Sequence, residues 1–500
     1  MSEIQLNWQP DKTASAPIYQ QITTYFQHAI ASGEWPMGAK LPAQRKLAAQ
    51  FDVNRSTLIT ALDDLIAVGL ITSNPGSGMT VSGNHWSSLL AEHVNWSQYV
   101  KAGQFKPNTS AIQKINQFET DAVIRLSTGE PAPEQFPREL FQKALAKLGN
   151  TLTSLNYTEP AGILALREQL ARHLAKVGIH TQPENILITS GSLQALQLVS
   201  VSLFSKDATI YTEAPTYVKS LQVFQSANTH LSGVPMDSQG MAYWQLTPPA
   251  KDSQAIMYTI PTFNNPTGIV MSADRRQQLL AYAQEHQIPI LEDAAYQDVW
   301  FEQQPPQPLK ALDTTGNVIY FGSISKSLAP GLRLGWTVAA KPVIDRLTDV
   351  RMQTDYGASS LSQLVLAEIL ADPDYDNYQA HFRAVLAKKA AAAQAILQKY
   401  WGNGIATWQA PTGGFYLWIR LADQINIPKL FDLATAQNVL FNPGNIYDFK
   451  PNQYIRLSFS YESTARFERG IQILTDLIEQ NFPVGGANHA SERTTDSSIF

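Results

Sequence analysis

The residues best able to do chemistry in this sequence are grouped around Lys326. It belongs to the stretch SISK, which directly follows the apolar run VIYF and is therefore predicted to lie at the end of a strand. A lysine amine in such a place can form a Schiff base with an aldehyde. A lone lysine would mean little, but Ser323 and Ser325 supply hydroxyls and Arg333 follows in the same segment. Together these groups suit a bound phosphate.

Polar side chains also follow three other predicted strands. Asp293 comes after the apolar run IPIL, where a carboxylate can pair with a protonated pyridine nitrogen and keep the ring an electron sink. Taken alone, this aspartate is explained equally well as a helix cap. Asn265 and Tyr296 could hydrogen-bond the phenolic oxygen of such a ring, and Tyr217 of the stretch EAPTY could pack against its face.

A second phosphate-binding feature is the stretch SGSLQ, which follows the run ILIT and opens an apolar helix. Backbone N–H groups at a helix N-terminus, together with the helix dipole, attract a phosphate. Ser192 and Leu193 are expected to supply these groups, although a Gly-Ser turn by itself is a weak signal.

The first part of the chain predicts a small helical domain that ends in a hairpin. Ile18, Ile22, Phe26 and Ile30 form one helical face, the stretch PAQRKLA opens a second helix, and Asn54 is a good N-cap for a third. Two short strands, LIT and MTV, are joined by the turn NPGSG. Without further motifs, this pattern would describe a plain three-helix bundle with a hairpin.

The third helix carries Arg55, Ser56 and Thr57 on its first turn, where a recognition helix presents side chains to base edges and phosphates. The hairpin would be the wing. Residues 1–84 contain five basic and six acidic residues, so phosphate neutralisation gives one such domain little affinity for DNA. We therefore expect useful binding to need the two copies present in a homodimer.

Changes in composition and hydrophobic pattern along the chain predict a multidomain protein. A helical, winged helix-turn-helix head spans residues 1–84, and residues 85–120 are interpreted as a linker, although residues 85–100 could form one amphipathic helix. Residues 121–480, the body, alternate strand and helix signals, which is typical of an α/β domain. Residues 481–500 are expected to be a disordered tail.

Composition limits the class of protein. Of 500 residues, 44% are hydrophobic and 16% charged, and a net charge of −5 gives the whole chain no general attraction to nucleic acid or membranes. The absence of cysteine excludes disulfides and thiolate ligands, and we expect no metal site. Since neither a signal-peptide pattern nor a membrane-length apolar run is present, a cytoplasmic protein is expected.

The head resembles the GntR-type winged helix-turn-helix. The matching patterns are PIYQQI, G-x-x-x-x-G-x-x-L-P, R-x-L-A, V-x-R-x-T and G-x-G, in that order. The resemblance implies DNA contacts from Arg45, Arg55, Thr57 and Gly78. The position of Ser56 on the third helix adds it to this set.

The body resembles a fold-type I aminotransferase of class I and II, which implies an α/β fold and pyridoxal 5'-phosphate as cofactor. The matching stretches are LSTGEPAPEQFP, YTEPAGILALR, ITSGSLQAL, EAPTY, PTFNNPTG, EDAAYQD, GSISKSLAPGLRLGW, GGFYLW and IRLSFS. By this resemblance Lys326 is the catalytic lysine that holds the cofactor aldehyde.

The same resemblance assigns roles to the other candidate residues. Those implied to bind the cofactor are Asp293, Asn265, Tyr296, Tyr217, Ser192, Leu193, Ser323, Ser325, Arg333 and, lent by the partner subunit, Tyr157. Arg456 would clamp the α-carboxylate of an effector bidentately, and Gly129 lies in a loop implied to close over it.

A GntR-type head joined to an aminotransferase-like body resembles the MocR/GabR regulators. The resemblance implies a homodimeric, cofactor-dependent regulator of transcription, in which an amine-bearing, amino-acid-like effector displaces Lys326 from the cofactor and changes the spacing of the heads. The alternative is a working aminotransferase with a secondary DNA-binding head, although an ordinary aminotransferase has no need for residues 1–84. Amino acids, γ-amino acids such as GABA, taurine and the cofactor itself remain open as effectors.

Overall fold

A computed structural model describes residues 6–82 except 7, 33, 68 and 75–77, residues 110–221 except 119 and 121, and residues 223–483 except 225–228 and 247–252. The chain divides into two compact units, residues 1–104 and residues 105–500. No helix within the described ranges is long and apolar enough to cross a lipid bilayer.

The described residues of the head form three helices and one hairpin, as its periodicity predicts. Its elements are α1 (Ile18–Ala31), α2 (Gln44–Gln50), α3 (Arg55–Ala67), β1 (Ile71–Asn74) and β2 (Gly78–Val81). The helices pack around fully buried side chains that include Phe26, Leu47, Phe51 and Leu58. Part of the predicted wing turn, residues 75–77, lies outside the described residues.

The second unit has eleven helices among its described residues. They are α4 (Ser110–Phe118), α5 (Arg138–Thr151), α6 (Leu164–Ala175), α7 (Ser192–Leu203), α8 (Ala273–Glu285), α9 (Leu309–Leu312), α10 (Lys341–Met352), α11 (Ser360–Ala371), α12 (Tyr375–Trp401), α13 (Ile427–Ala436) and α14 (Thr464–Asn481).

Its strands follow the alternation predicted for an α/β domain. They are β3 (Ile124–Arg125), β4 (Ile186–Thr189), β5 (Thr209–Ala214), β6 (His230–Asp237), β7 (Gly240–Met241), β8 (Ala255–Thr259), β9 (Ile290–Asp293), β10 (Val318–Ser323), β11 (Gly335–Val338), β12 (Ala406–Trp408), β13 (Tyr416–Leu421), β14 (Val439–Leu440), β15 (Asn442–Pro443) and β16 (Tyr454–Ser458).

The large sheet has eight strands in the order β4-β11-β10-β9-β8-β5-β6-β7. β10, β9, β8 and β5 pair in parallel, and β4 runs in the same direction because it and β10 are both antiparallel to β11. The carboxyl ends of these strands therefore share one edge, which is where open α/β sheets bind ligands.

A smaller antiparallel sheet, in the order β12-β13-β16-β15, lies within the C-terminal part of the unit. Its apolar face packs into a core with α12 and α14, whose buried side chains include Leu397, Trp401 and Ile471. The arginine of β16, Arg456, projects from this sheet and is buried. The large sheet and the small sheet thus each supply part of one cavity.

The interpretation of residues 85–120 as a linker is wrong for residues 110–118. These residues form helix α4, and its Ile115 is buried in the core beneath the small sheet. The spacing of Ala111, Ile112 and Ile115 makes one apolar face, but nine residues in a polar zone are too few to stand out in the sequence. Residues 83–109, including the possible helix at 85–100, lie outside the described residues.

The predicted disordered tail is partly outside the described residues. Asn481 still belongs to α14, and residues 484–500 are not described.

Candidate functional site

One cavity of about 450 Å³ lies at the carboxyl edge of the large sheet. Ser192 follows β4, Tyr217 follows β5, Asn265 follows β8, and Asp293 and Ser323 end β9 and β10. The remaining predicted residues that line the same cavity are Leu193, Tyr296, Ser325, Lys326, Arg333, Gly129 and Arg456. Strand order therefore brings together side chains that are far apart in the sequence.

Lys326 lies half-buried in the cavity, directly after β10. Its Nζ donates a hydrogen bond to the Gly129 carbonyl at 2.6 Å and lies 6.0 Å from the centre of the Tyr296 ring. A Cβ on Gly129 would clash with the Tyr416 hydroxyl and lie 3.3 Å from Lys326 Nζ, so a larger residue here would displace these side chains. The loop that follows β3 thus lies directly against the lysine amine.

Asp293 is buried at the end of β9. Its Oδ2 accepts from the Tyr258 hydroxyl at 2.7 Å, and its Oδ1 accepts from the Ala295 amide at 3.1 Å. Burial raises the pKa of Asp293, whereas these two hydrogen bonds and the nearby charge of Lys326 lower it. The carboxyl group is therefore positioned by two donors and suited to face a cation.

A buried polar chain connects the floor of the cavity with the small sheet. Arg456 donates from Nη1 to Asn265 Oδ1 at 2.8 Å and from Nη2 to the Ser127 carbonyl at 2.7 Å. Asn265 Nδ2 in turn donates to the Tyr296 hydroxyl at 3.3 Å, and that hydroxyl donates to Tyr416 at 3.1 Å. Each group fixes the orientation of the next.

Arg456 is also held by aromatic rings. Its guanidinium carbon lies 3.9 Å from the centre of the Tyr416 ring and 4.9 Å from that of Tyr447. Its Nε is buried without a hydrogen-bond partner among the described residues. A buried cation that keeps an unused donor is suited to an anionic ligand.

The opposite end of the cavity combines a helix N-terminus with a guanidinium group. Helix α7 begins at Ser192, and no side chain caps its first turn. Arg333 lies beside this turn, since a Cβ on Gly191 would lie 3.0 Å from Arg333 Nη2. Ser323 Oγ accepts from the Ser325 amide at 3.2 Å. Free amide donors, hydroxyls and a guanidinium together suit a phosphate.

Two other titratable groups near the cavity have perturbed pKa values. Burial raises the pKa of Tyr217 to about 12. Burial also raises the pKa of Glu213 to about 7, although the Thr259 hydroxyl and the Ile260 amide donate to its Oε1. A neutral Tyr217 can pack against an aromatic ring without the cost of burying a charge.

Among the residues predicted to bind the cofactor or the effector, Tyr157 is the one that does not line this cavity. Its side chain is 88% exposed, and its ring centre lies 5.6 Å from that of Tyr356. The resemblance assigns it to the cavity of a partner subunit, and that assignment stays a prediction.

Sequence reasoning missed one residue behind the cavity lining and several residues within it. Tyr258 lies inside an apolar strand, and only the register of the sheet directs its hydroxyl to Asp293. Tyr416 lies in the quoted stretch GGFYLW but was given no role. Ile112 and Ile115 reach the cavity from α4, in a zone interpreted as linker.

In the head, the predicted DNA-contacting residues form an exposed group. Arg45 on α2, Arg55 and Ser56 on α3, and Gly78 at the start of β2 are exposed, and Thr57 is half-buried. Asn54 Oδ1 accepts from the Thr57 amide at 2.8 Å and from the hydroxyls of Ser56 and Thr57 at 2.8 and 2.7 Å. These two hydroxyl protons therefore already serve the N-cap, and Arg45 and Arg55 are the stronger candidates for phosphate or base contacts.

Comparison with known proteins agrees with this division. Residues 18–81 match the family of bacterial regulatory proteins, gntR family, and residues 121–474 match aminotransferase class I and II. The chain is 44% identical over 468 residues to the uncharacterized HTH-type transcriptional regulator YisV of Bacillus subtilis, covering 93% of this chain and 96% of YisV. It is 34% identical over 438 residues to the HTH-type transcriptional regulator NorG of Staphylococcus aureus, covering 86% and 98%.

Among solved structures, the chain is similar to a kynurenine aminotransferase of Pyrococcus horikoshii, crystallised with PMP, at a TM-score of 0.70 and 30% identity. The match covers 75% of this chain and 95% of that enzyme. The aminotransferase therefore corresponds to the body, whereas the two regulators align with nearly the whole chain. This chain belongs to the MocR-type family of HTH-type transcriptional regulators, in which a GntR-type head precedes an aminotransferase class I and II body.

Proposed function

We propose that this transcriptional regulator binds pyridoxal 5'-phosphate through Lys326 and senses an amino-acid-like effector in the same cavity. The observation that carries the proposal is the convergence of the predicted cofactor and effector residues, from two different sheets, on one cavity. A regulator without a ligand in its body would have no use for this set.

The residues present fit the cofactor. The uncapped N-terminus of α7 and Arg333 would hold the phosphate, and Asp293 would face the ring nitrogen. Asn265 and Tyr296 would bind the phenolic oxygen, and Tyr217 would pack on the ring. When bound, pyridoxal phosphate supplies an aldehyde that reacts reversibly with primary amines and a ring that withdraws electrons.

The effector end of the cavity is Arg456. Its buried Nε and its contacts with two aromatic rings support a clamp for a carboxylate. The Lys326 amine donates a hydrogen bond to the Gly129 carbonyl. If this amine binds another group instead, the loop that contains Gly129 loses that hydrogen bond. Such a difference in contacts is what a ligand-driven switch requires.

The surface around Tyr157 supports a homodimer. Large apolar side chains are exposed near it, including Leu155 at 54%, Leu361 at 41% and Tyr356 at 58%. A cluster of this kind on a soluble domain marks a protein interface. A homodimer would present two heads to double-stranded DNA. Their combined contacts would offset the weak attraction of each single head, in which basic and acidic residues nearly balance.

A second candidate function is transamination. The intact lysine, aspartate and arginine would serve an enzyme as well as a sensor, and the body is similar to an aminotransferase. The head favours regulation, because transamination does not need it.

The Lys326→Ala variant tests the proposal. Full-length wild-type protein incubated with pyridoxal phosphate should show visible absorbance above that of the free cofactor and should bind DNA from its own promoter region in preference to unrelated DNA. The variant should lose the protein-bound absorbance and the effector response, while Lys341→Ala, an exposed lysine on α10, should lose neither. Rapid transamination by a protein with no preference for any DNA sequence would contradict the regulatory role.

A further inference from the structure

Helix α4 forms one wall of the cavity near Arg456, the residue proposed to hold the carboxylate of the effector. Helix α4 packs against β15, and Asn442 of β15 is the register partner of Arg456 on β16. Ile112, Ile115 and Asn116 of α4 line the cavity. Because α4 contacts the strand that pairs with the strand of Arg456, it is placed to contact what Arg456 holds.

The charges of the cavity limit the side chain that an effector can carry. Among the described residues that line it, the cationic side chains are Lys326, Arg333 and Arg456. In the proposed function, Lys326 binds an aldehyde, Arg333 binds a phosphate and Arg456 binds one carboxylate. No lining cation in the described ranges remains for a second acidic group, and the lining acid Glu130 would repel one.

The uncharged residues that line the cavity near Arg456 include an apolar and aromatic group beside the polar side chains of Asn116 and Asn442. Ile112 is half-buried, Ile115 and Ile446 are 7% and 8% exposed, and Tyr416 and Tyr447 flank the guanidinium. A neutral, apolar group gains from contact with such walls, whereas a carboxylate placed there would lose its hydration without a partner.

We propose that the effector is an α-amino acid with an apolar or aromatic side chain, and that Ile112 of α4 contacts that side chain. This inference rests on the proposed function, because it assumes that Arg456 holds the α-carboxylate. Helix α4 directly follows residues 83–109, which connect it to the head. The effector side chain therefore contacts the segment that leads to the DNA-binding domain.

Spectral titration of the full-length, pyridoxal phosphate-loaded protein tests the effector class. L-leucine and L-phenylalanine should change the visible absorbance at concentrations about tenfold or more below those needed for glycine, L-glutamate or GABA. Tighter binding of L-glutamate or GABA, or no response to any of the five, would overturn the inference. In either case, a persistent Lys326-dependent absorbance and promoter binding would leave the proposed cofactor and DNA roles intact.

Variants at Ile112 test the contact itself, and this half-buried position tolerates change better than Ile115. Ile112→Ala should weaken L-leucine binding about tenfold and leave glycine binding nearly unchanged. Ile112→Arg should shift the preference toward L-glutamate, because it supplies the missing cation. Gln117→Ala, an exposed position on α4 that does not line the cavity, is the control. Equal effects of the Ile112 variants on all ligands, or no effect on any, would contradict the contact.

Discussion

At the scale of single residues, the candidate site depends on buried groups that position others. Asp293 would be a poor partner for a ring cation if its carboxyl group could rotate, and the Tyr258 hydroxyl and the Ala295 amide prevent this. Arg456 is similarly restrained by Asn265 and the Ser127 carbonyl. Preorganisation of this kind reduces the entropy lost when a ligand binds.

The Tyr258→Phe variant should bind pyridoxal phosphate about tenfold more weakly, because a hydrogen bond to a charged carboxylate contributes about 1.5–3 kcal/mol. The Tyr258 hydroxyl lowers the pKa of Asp293, so its loss raises that pKa further. As the pH falls, Asp293 of the variant takes up its proton earlier, and affinity should decline at a higher pH than in the wild type. Absorbance titrations across a pH series measure both effects.

Tyr282→Phe is the matched control for this prediction. It removes a tyrosine hydroxyl from α8, outside the cavity lining. Equal pH profiles for the wild type and Tyr258→Phe would show that Tyr258 does not influence Asp293.

At the scale of elements, two helix N-termini are used in different ways. Helix α3 is capped by Asn54, whose side chain accepts three hydrogen bonds from the first turn. Helix α7 has no side-chain cap, and its first turn faces the cavity beside Arg333. The first arrangement stabilises a recognition helix, and the second leaves amide donors available to an anion.

The Asn54→Ala variant should destabilise the head by about 1 kcal/mol, which is the usual cost of losing an N-cap. Amide hydrogen exchange in the first turn of α3 should become faster, and promoter DNA should bind more weakly because Arg55 is less firmly placed. Asn54→Ser keeps an N-cap acceptor and should behave nearly as the wild type. Unchanged exchange at Thr57 in Asn54→Ala would refute the capping role.

At the scale of the whole molecule, function is proposed to need two copies of the chain. Tyr157 does not line the cavity of its own chain, and the exposed apolar side chains of the same region of the sequence include Leu152, Leu155 and Leu164. A second copy seated on this surface would bury these side chains and could bring Tyr157 to the partner's phosphate end. Dimerisation would thereby complete the site and pair the heads.

Leu155→Asp should shift the protein from dimer to monomer in sedimentation velocity, because a charge would be buried without a partner at the interface. Cofactor and promoter DNA should then both bind more weakly. Trp244→Ser, which removes an apolar side chain that is 55% exposed near the far edge of the large sheet, should leave the dimer intact. A Leu155→Asp protein that remains fully dimeric would place the interface elsewhere.

The sequence alone was enough to predict the head, the α/β body and the residues at the carboxyl ends of β4, β5, β8, β9 and β10. Local patterns determine these features, because hydrophobic periodicity and strand-end polar groups are encoded within short stretches. The same reasoning could not find Tyr258 or Ile112. Tyr258 has the pattern of an ordinary strand residue, and α4 is short and lies in a polar zone.

Tertiary structure decided how the separate motifs meet. Sheet order brings Lys326, Asp293 and Asn265 to one edge, and the register of β15 with β16 places α4 beside Arg456. These relations depend on contacts between elements that are separated in the sequence, in the case of α4 and β15 by hundreds of positions, and no local pattern encodes them. The residues around Lys326 could thus be predicted from the sequence, whereas the wall that is proposed to limit an effector follows only from the packing of α4 against β15.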